Sequence, residues 1–279
     1  MLSFFLKISL VLLLAPARWP VELRPVGHEV PPLHYYVVIV DLTDPRVSLR
    51  VCPGEPDPDG PSGKWHTALQ TVRTVADREH LDVAINGNFF STRETHQFGG
   101  RKISYFAGNW ARLAGWAMSD GVLFGDQPSG ASLVVDRDGR VRIGSFIEGL
   151  PPGTTQAVSG LEMLVSDGRA NANDKERAPR TAVGIDKDGQ KLVIMVVDGR
   201  RSDWSEGMTS VDLAREMMRL GCHDAMQLDG GGSATLAMRQ PEDDAARLIS
   251  RPSDGHDLPI SLSIERPVAC ILGVKVDRN

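Results

Sequence analysis

The sequence predicts an α+β fold in which mixed β-sheets are flanked by two helices. Apolar side chains alternate along residues 47–51, and Asp-Gly pairs at 138–139 and 188–189 separate apolar runs, which is typical of strands joined by hairpin turns. Apolar side chains recur at three- and four-residue spacing within residues 65–78 and 210–220, which predicts the helices. With 279 residues and 41% hydrophobic content, the chain is long enough for one domain of about 250 residues.

The N-terminus has the pattern of an export signal. Lys7 precedes an apolar run at residues 8–14, and Ala15-Pro16-Ala17 matches a small-residue cleavage site. Because the apolar run is shorter than the roughly 20 residues of a spanning helix, no stable membrane span is expected after processing. We therefore expect a signal peptide at residues 1–17, an N-terminal extension at 18–34 and a domain at 35–279, in a secreted, periplasmic or envelope-associated protein.

The first half of the domain contains strands at 35–40 and 47–51, a loop at 52–63 and a helix with Leu69, Val72 and Ala76 on one face. A short apolar strand at 81–85 then ends in Asn86-Gly87-Asn88. Two side-chain amides at a strand end are candidates for binding hydroxyl groups. The polar segment 91–109, with its aromatic residues, predicts a surface loop of the length found at functional sites.

Two hairpins follow, at residues 133–141 and 183–193. Their Asp-x-Asp-Gly cores resemble part of a calcium loop, but the further oxygen ligands and the distal glutamate of an EF-hand are missing, so each is interpreted as a hairpin turn. Arg180 begins the second hairpin, and Asp198 follows its return strand. Both are candidate catalytic residues at strand ends.

The next helix is predicted to begin after Thr209, an N-cap that we also count among the candidate substrate-binding residues, and to end at Gly221. Val211, Ala214 and Met218 are expected to form its buried stripe, with both neighbouring methionines in the core.

An apolar strand at 225–228 then stops at Asp229-Gly230-Gly231-Gly232-Ser233. Three glycines allow positive φ and close approach to a ligand, and their successive N–H groups are able to form an anion-binding nest. Asp229 is therefore a candidate catalytic residue, and the three glycines and Ser233 are candidate substrate-binding residues.

Composition excludes some classes of function. The net charge of −5, without long basic runs, argues against nucleic-acid binding. Cys52, Cys222 and Cys270 are too few for a disulfide scaffold, although they allow one bridge, and no spacing typical of zinc ligands is present. We expect no cofactor; Ca²⁺ or Mg²⁺ held by Asn86, Asp198 and Asp229 remains an open alternative.

The order of these motifs resembles the phosphodiester glycosidase family over residues 37–274. The resemblance is strongest from Gly221 to Ser233, and further matching blocks are Ala84-Ile85-Asn86-Gly87-Asn88-Phe89-Phe90, Pro179-Arg180-Thr181-Ala182, Asp198-Gly199-Arg200 and Arg266-Pro267-Val268-Ala269. It implies a single domain of that family and a hydrolase that cleaves the sugar–phosphate bond of a sugar-1-phosphodiester, within a glycan or a cell-envelope polymer.

The chemistry agrees with this expectation. Phosphate is a good leaving group because its monoester has a second pKa near 6, so one carboxylate, Asp198 or Asp229, suffices as nucleophile or base while Arg180 and the glycine amides stabilise phosphate. The sequence does not choose between the two aspartates. Two alternatives stay open: a metal-dependent phosphodiesterase that attacks phosphorus, and a non-catalytic carbohydrate-binding protein of the envelope.

Overall fold

The structure is a computed structural model that describes residues 18–98, 101–255 and 262–278. The predicted signal peptide at 1–17 lies outside the described residues. The described residues form two α-helices, a 3₁₀ turn at Gly231–Ser233 and 22 strands. In chain order the elements are β1 Val21–Glu29, β2 Pro32–Asp41, β3 Val47–Pro53, β4 Thr67–Ala68, α1 Val72–Glu79, β5 Val83–Asn86, β6 Phe90–Thr92, β7 His96–Phe98, β8 Arg101–Ile103, β9 Trp110–Leu113, β10 Trp116–Ser119, β11 Val122–Asp126, β12 Ser132–Asp136, β13 Val141–Gly144, β14 Thr154–Ser159, β15 Glu162–Ser166, β16 Arg169–Ala170, β17 Arg180–Ile185, β18 Lys191–Val197, α2 Ser210–Arg219, β19 Asp224–Gln227, β20 Leu236–Met238, β21 Arg247–Leu248 and β22 Cys270–Val276.

The strands form three main sheets with the orders β1-β2-β18-β17-β19-β15-β16, β11-β10-β14-β12-β13 and β21-β20-β5-β22-β3, and two smaller ones, β4-β9-β6 and β7-β8. The expectation of mixed sheets is wrong for the described strands, because every pair of them is antiparallel. Short turns account for the pairs of consecutive strands, such as β1–β2, β12–β13 and β17–β18, since parallel neighbours need long crossover connections. Strands dominate, so the α+β description is only roughly right.

The segment 18–34 is more than an extension. Most of it forms β1, which pairs with β2 from Val21 opposite Val40 to Glu29 opposite Pro32. Pro25 and Gly27 obscure its alternation in the sequence. Pro25 is tolerated because β1 lies at the edge of the sheet, where a missing N–H breaks no second ladder.

The first helix is shorter than the sequence predicts. Residues 67–68 form β4 on β9, and α1 begins only at Val72, where the Thr71 hydroxyl accepts a hydrogen bond from the N–H of Thr74. Leu69 is fully buried, but from a loop and not from the helix. The N-cap chemistry of Thr71 overrides the helical periodicity before it.

The second helix matches the predicted bounds, and Thr209 is its N-cap. Its buried stripe consists of Leu213, Ala214 and Met217, which pack on the seven-stranded sheet, whereas Met218 is exposed. The expectation that both methionines are core residues is therefore wrong for Met218.

The main core lies between the large sheets, and all three cysteines are buried and unbridged. In the described part of the chain, neither helix has the length and apolar character required to cross a bilayer.

The predicted hairpins are present, with Gly139 and Gly189 at positive φ in their turns. Because β18 and β19 both run antiparallel to β17, they end at the edge of the sheet where β17 begins. This edge brings Arg180, Asp198 and Asp229 into one region.

Candidate functional site

Asp229 lies at the wall of a cleft of about 310 Å³ at this edge. The chain leaves β19 with the N–H of Leu228 bonded to Thr181 O (2.9 Å), and the N–H of Asp229 is bonded to Gly87 O (3.1 Å). The carboxylate accepts a hydrogen bond from the N–H of Gly230 at 2.9 Å. Burial raises the pKa of Asp229 to about 6, although the nearby Ser233 hydroxyl, the Arg266 guanidinium and the Gly230 N–H all oppose the rise. Asp229 is thus an ionisable carboxylate with a tuned pKa at a cleft wall.

Close packing around the turn, more than an anion-binding nest, explains why residues 230–232 are glycines. Gly231 has φ +59, and a Cβ on Gly232 would clash with Arg266 and Asp254. The N–H of Gly230 is bonded to Asp229, and that of Gly231 to Pro179 O at 2.9 Å. Two of the three amides predicted to hold an anion are therefore already used by the protein.

Arg200 and Arg266 are two of the three arginines that line the cleft. The guanidinium of Arg200 lies beside Gly231, is exposed, and has no ion-pair partner among the described residues. Arg266 is held by Asp254 through two hydrogen bonds of 2.8 Å and stacks on the Tyr105 ring at 3.9 Å from its centroid. Both guanidinium groups line the same cleft as Asp229, and a guanidinium group is suited to binding an anion there.

Arg180 also lines the cleft, but its donors are occupied. Its Nη2 donates to Asp174 Oδ2 at 2.6 Å and to Glu176 O at 2.9 Å, its Nε donates to Met208 O at 3.2 Å, and its Nη1 reaches Gln227 Oε1 at 3.4 Å. The geometry therefore gives Arg180, a predicted catalytic residue, a bracing role.

Asp198 does not line the cleft. It is 2% exposed, and its carboxylate accepts hydrogen bonds from Trp204 Nε1 and from the N–H of Arg251, both at 2.9 Å. Burial raises the pKa of Asp198 to about 6, and the Trp204 bond is the largest opposing influence. The structure therefore does not bring Asp198 and Asp229 together as a facing pair across the cleft.

The two asparagines are internal braces. Asn86 Nδ2 donates to Asp229 O at 2.6 Å, and Asn86 Oδ1 accepts from Thr181 Oγ1 (2.8 Å) and from the N–H of Thr235 (3.2 Å). Asn88 is equally buried, with Nδ2 bonded to the carbonyls of residues 114 and 116 and Oδ1 accepting from the N–H of Ser159. The Asn86 amide therefore holds the backbone at Asp229, the Asn88 amide holds the backbone of residues 114, 116 and 159, and neither is free to bind a ligand.

The remaining predicted residues are divided between the helix and the turn. The Thr209 hydroxyl donates to Asp212 Oδ2 at 2.9 Å and accepts from its N–H at 3.0 Å, so it is engaged in capping α2. Ser233 is fully buried, and its Oγ has no partner of normal hydrogen-bond geometry among the described residues, although it lies close enough to lower the pKa of Asp229. The effect of Ser233 on the site is therefore through the pKa of Asp229, from a buried position in the turn.

The proposed oxygen ligands for Ca²⁺ or Mg²⁺ do not converge. Asn86 Oδ1 has two protein donors, and Asp198 lies outside the cleft. Within the described ranges, one group of three candidate metal-ligating side chains is present, Asp167, His223 and Asp224, at the opposite end of β19. It is remote from Asp229, and histidine next to aspartate there forms its own hydrogen bond at 2.9 Å.

Larger depressions occur elsewhere, including one of about 570 Å³ beside β13 and the turn after β17. Its lining includes none of the candidate catalytic residues Arg180, Asp198 and Asp229, so size alone does not identify the site. Arg200 and Arg266 line the cleft, and the sequence predicts no role for either. Each lies in a quoted motif block, and the signal that would have found them is an arginine placed directly after a strand-end turn or before a buried strand.

Similarity to known proteins extends over most of the chain. The family model "Phosphodiester glycosidase" matches residues 79–275. The N-acetylglucosamine-1-phosphodiester alpha-N-acetylglucosaminidase of Bos taurus is 28% identical over 221 residues, covering 71% of this chain and 38% of that protein. The SPbeta prophage-derived uncharacterized protein YomE of Bacillus subtilis is 28% identical over 219 residues, covering 72% of this chain and 30% of its own length. The chain thus matches well under half of either protein.

A solved structure shares the fold. The catalytic domain of the zebrafish N-acetylglucosamine-1-phosphodiester alpha-N-acetylglucosaminidase, auto-inhibited by its pro-peptide, superposes with a TM-score of 0.67 at 24% identity, covering 94% of this chain and 86% of that one.

Proposed function

Because the chain belongs to the phosphodiester glycosidase family, we propose that it hydrolyses the bond between the anomeric carbon of a sugar and the phosphate of a sugar-1-phosphodiester. The observation that carries the proposal is the position of Asp229 beside Arg200 and Arg266 in one cleft. A carboxylate suits the electron-poor anomeric carbon, and the arginines suit the departing phosphate.

Asp229 is the group that acts on the sugar. As a nucleophile it attacks the anomeric carbon, the bond from that carbon to the phosphate oxygen breaks, and water then hydrolyses the glycosyl ester. As a base it removes a proton from a water that attacks the same carbon. In either case the carboxylate must be ionised, and the raised pKa keeps it a stronger base than a solvated aspartate.

The arginines stabilise the leaving group. When the bond breaks, negative charge grows on the phosphate oxygen, and a guanidinium placed there in advance stabilises that charge without reorganising. Arg266 is oriented by Asp254 and Tyr105, whereas the Arg200 guanidinium has no hydrogen-bond or ion-pair partner in the described part of the chain. We assign both to phosphate, in place of the glycine amides predicted from sequence.

The leaving phosphate reduces the need for an acid catalyst. Its monoester has a second pKa near 6, so it departs without a proton. This agrees with a cleft in which Asp174, a further carboxylate on the wall, has a lowered pKa because it accepts the Glu176 N–H and pairs with Arg180. A carboxylate with that environment stays ionised and is unsuited to donate a proton.

The test is release of free sugar from a panel of sugar-1-phosphodiesters by the purified chain. Asp229→Asn is expected to abolish turnover, while Asp138→Asn, which changes an exposed carboxylate in the β12–β13 turn, leaves it unchanged. Chelator is expected to have no effect. In ¹⁸O water the label should enter the sugar; label in the phosphate would show attack at phosphorus and favour the metal-dependent phosphodiesterase.

Stereochemistry then separates the two roles of Asp229. Proton NMR of the first-formed sugar is expected to show retention if Asp229 is the nucleophile and inversion if it is the base. A flat panel, together with ligand binding that survives Asp229→Asn, would favour a carbohydrate-binding protein over an enzyme.

We also propose that the protein is exported and meets its substrate in a glycan or a cell-envelope polymer. The support is the N-terminal pattern around Lys7 and Ala15-Pro16-Ala17. N-terminal sequencing of protein recovered from the medium or the envelope should begin at residue 18. A chain that keeps its N-terminus inside the cell would contradict the proposal.

A further inference from the structure

We infer that Asp198 is a positioning residue that joins the loop carrying Arg200 to the segment that orients Arg266, and that it does not contact the substrate. The inference rests on the proposed function, because it concerns the phosphate half of that site. It replaces the expectation that Asp198 acts on the sugar.

The first segment is the loop that follows β18. Asp198 opens it, and Asp198 Oδ2 accepts a hydrogen bond from Trp204 Nε1 at 2.9 Å across the loop. Asp198 O accepts from the Ser205 hydroxyl at 2.6 Å, which closes the same loop through the backbone. Arg200 lies inside this closure at φ +60, a conformation that an arginine adopts only where its surroundings enforce it. The Asp198 carboxylate therefore fixes the loop that presents Arg200 to the cleft.

The second segment is residues 250–254. Asp198 Oδ1 accepts a hydrogen bond from the N–H of Arg251 at 2.9 Å. Three residues later, Asp254 holds Arg266 with two hydrogen bonds of 2.8 Å. One oxygen of the Asp198 carboxylate thus bonds to the Arg200 loop, and the other bonds to the segment that orients Arg266.

Aromatic packing strengthens the junction. The Arg251 guanidinium lies 5.5 Å from the Trp204 ring centroid, and His34 stacks on the same Trp204 ring at a centroid distance of 3.6 Å and an interplanar angle of 10°. His34 Nδ1 is 2.7 Å from Trp204 O, so the histidine also fixes the tryptophan backbone. Trp204 is consequently held in the orientation that its bond to Asp198 requires.

Burial argues against a reactive role. Asp198 is 2% exposed and both of its oxygens have donors, so attack on a sugar would require breaking this junction. A buried carboxylate costs free energy unless it is hydrogen-bonded, and here its bonds tie together two segments distant in sequence. The cost is explained by the geometry that it imposes on the two arginines.

The experiment measures the dissociation constant for inorganic phosphate by isothermal titration calorimetry. In Asp198→Asn the amide nitrogen must face one of two N–H donors, so one bond is lost; the dissociation constant is expected to rise about tenfold. Arg200→Ala should cause a rise of similar size. In the double variant the combined rise should be clearly smaller than the product, because one residue acts through the other.

Two further variants control for loss of stability and for a failure of Asp198→Asn to fold. Asp82→Asn alters another buried aspartate, which accepts from the Val276 N–H at 2.7 Å far from the cleft, and is expected to lower the melting temperature without changing phosphate affinity. Trp204→Phe removes the Nε1 donor and leaves the Asp198 carboxylate intact, so it should weaken phosphate binding even if Asp198→Asn does not fold.

The outcomes that overturn the inference are specific. Unchanged phosphate affinity in Asp198→Asn with turnover lost would make it a catalytic residue, and effects that multiply with Arg200→Ala would show independent action. Absence of phosphate binding by the parent would remove the site that Asp198 is said to position. Turnover is not needed for this titration, so a chain that binds phosphate with the expected coupling and cleaves no sugar-1-phosphodiester would refute the proposed function alone.

Discussion

Sugar release is expected to rise with pH through about 6. The raised pKa of Asp229, caused mainly by burial, means that its carboxylate is about one-tenth ionised at pH 5 and about nine-tenths ionised at pH 7. Since only the ionised form attacks or serves as base, kcat/KM should increase about tenfold between these values. A solvated aspartate with a pKa near 3.9 would already be almost fully ionised at pH 5 and would give a flat profile.

The assay is the initial rate of sugar release at low substrate concentration, from pH 4 to pH 8, which reports the ionisation of the free enzyme. A phosphodiester is a suitable substrate because it lacks the second phosphate proton and so does not titrate in this range. The product monoester does titrate near pH 6, and initial rates avoid its rebinding to the two arginines.

Asp198 is the necessary control, because burial raises its pKa to about 6 as well. If the acid limb belongs to Asp229, it persists in Asp198→Asn at lower overall rate. A decrease in rate centred near pH 4 would refute the raised pKa of Asp229. A rate that falls as pH increases through 6 would show that the protonated form is active, and would make Asp229 an acid catalyst.

Further expectations follow from individual contacts. Asn86→Ala leaves the carbonyl of Asp229 and two donors without their buried partner, so the free energy of unfolding in urea should drop by about 3 kcal/mol or more; an unchanged stability with a raised KM would restore the sugar-binding role predicted from sequence. Gly232→Ala forces Arg266 to move and should weaken phosphate binding at least about tenfold, whereas Gly130→Ala, where a Cβ meets open space, should not; equal affinities would contradict the packing. Because the pKa of Asp198 is raised to about 6 in the folded chain, protonation of Asp198 stabilises the fold at low pH, and this contribution is lost as pH rises from about 4 to about 6, by up to about 3 kcal/mol. The difference in free energy of unfolding between the parent and Asp198→Asn should therefore change across that pH window. A constant difference would show that the pKa of Asp198 is normal. Chelator should leave kcat/KM unchanged, and restoration of a lost rate by Mg²⁺ or Ca²⁺ would disprove the metal-free mechanism.

The strands and hairpins were predictable because their signals are local. Alternation located β3, Asp-Gly turns located two hairpins, and Thr209 with Gly221 bounded α2 almost to the residue. The edge strand β1 was missed because Pro25 interrupts its pattern, and α1 was made too long because β4 and Leu69 are buried by partners distant in sequence. Pairing across the sheets is a long-range property that a single sequence does not encode in any one window.

The same contrast between local signals and long-range contacts applies to the candidate functional residues. Asp198 and Asp229 look equivalent in sequence, since each follows a buried strand and precedes glycine, and the two strands end at the same edge on either side of β17. They differ in their surroundings: Trp204 and the Arg251 backbone each donate a hydrogen bond to one oxygen of Asp198, whereas Asp229 lines a cleft. Burial raises both pKa values, but a raised pKa identifies a site only when an accessible cavity and a carboxylate oxygen without a hydrogen-bond donor from the described residues accompany it. Asp229 meets both conditions and Asp198 meets neither, which is why the arginines beside Asp229, and not the second aspartate, complete the proposed active site.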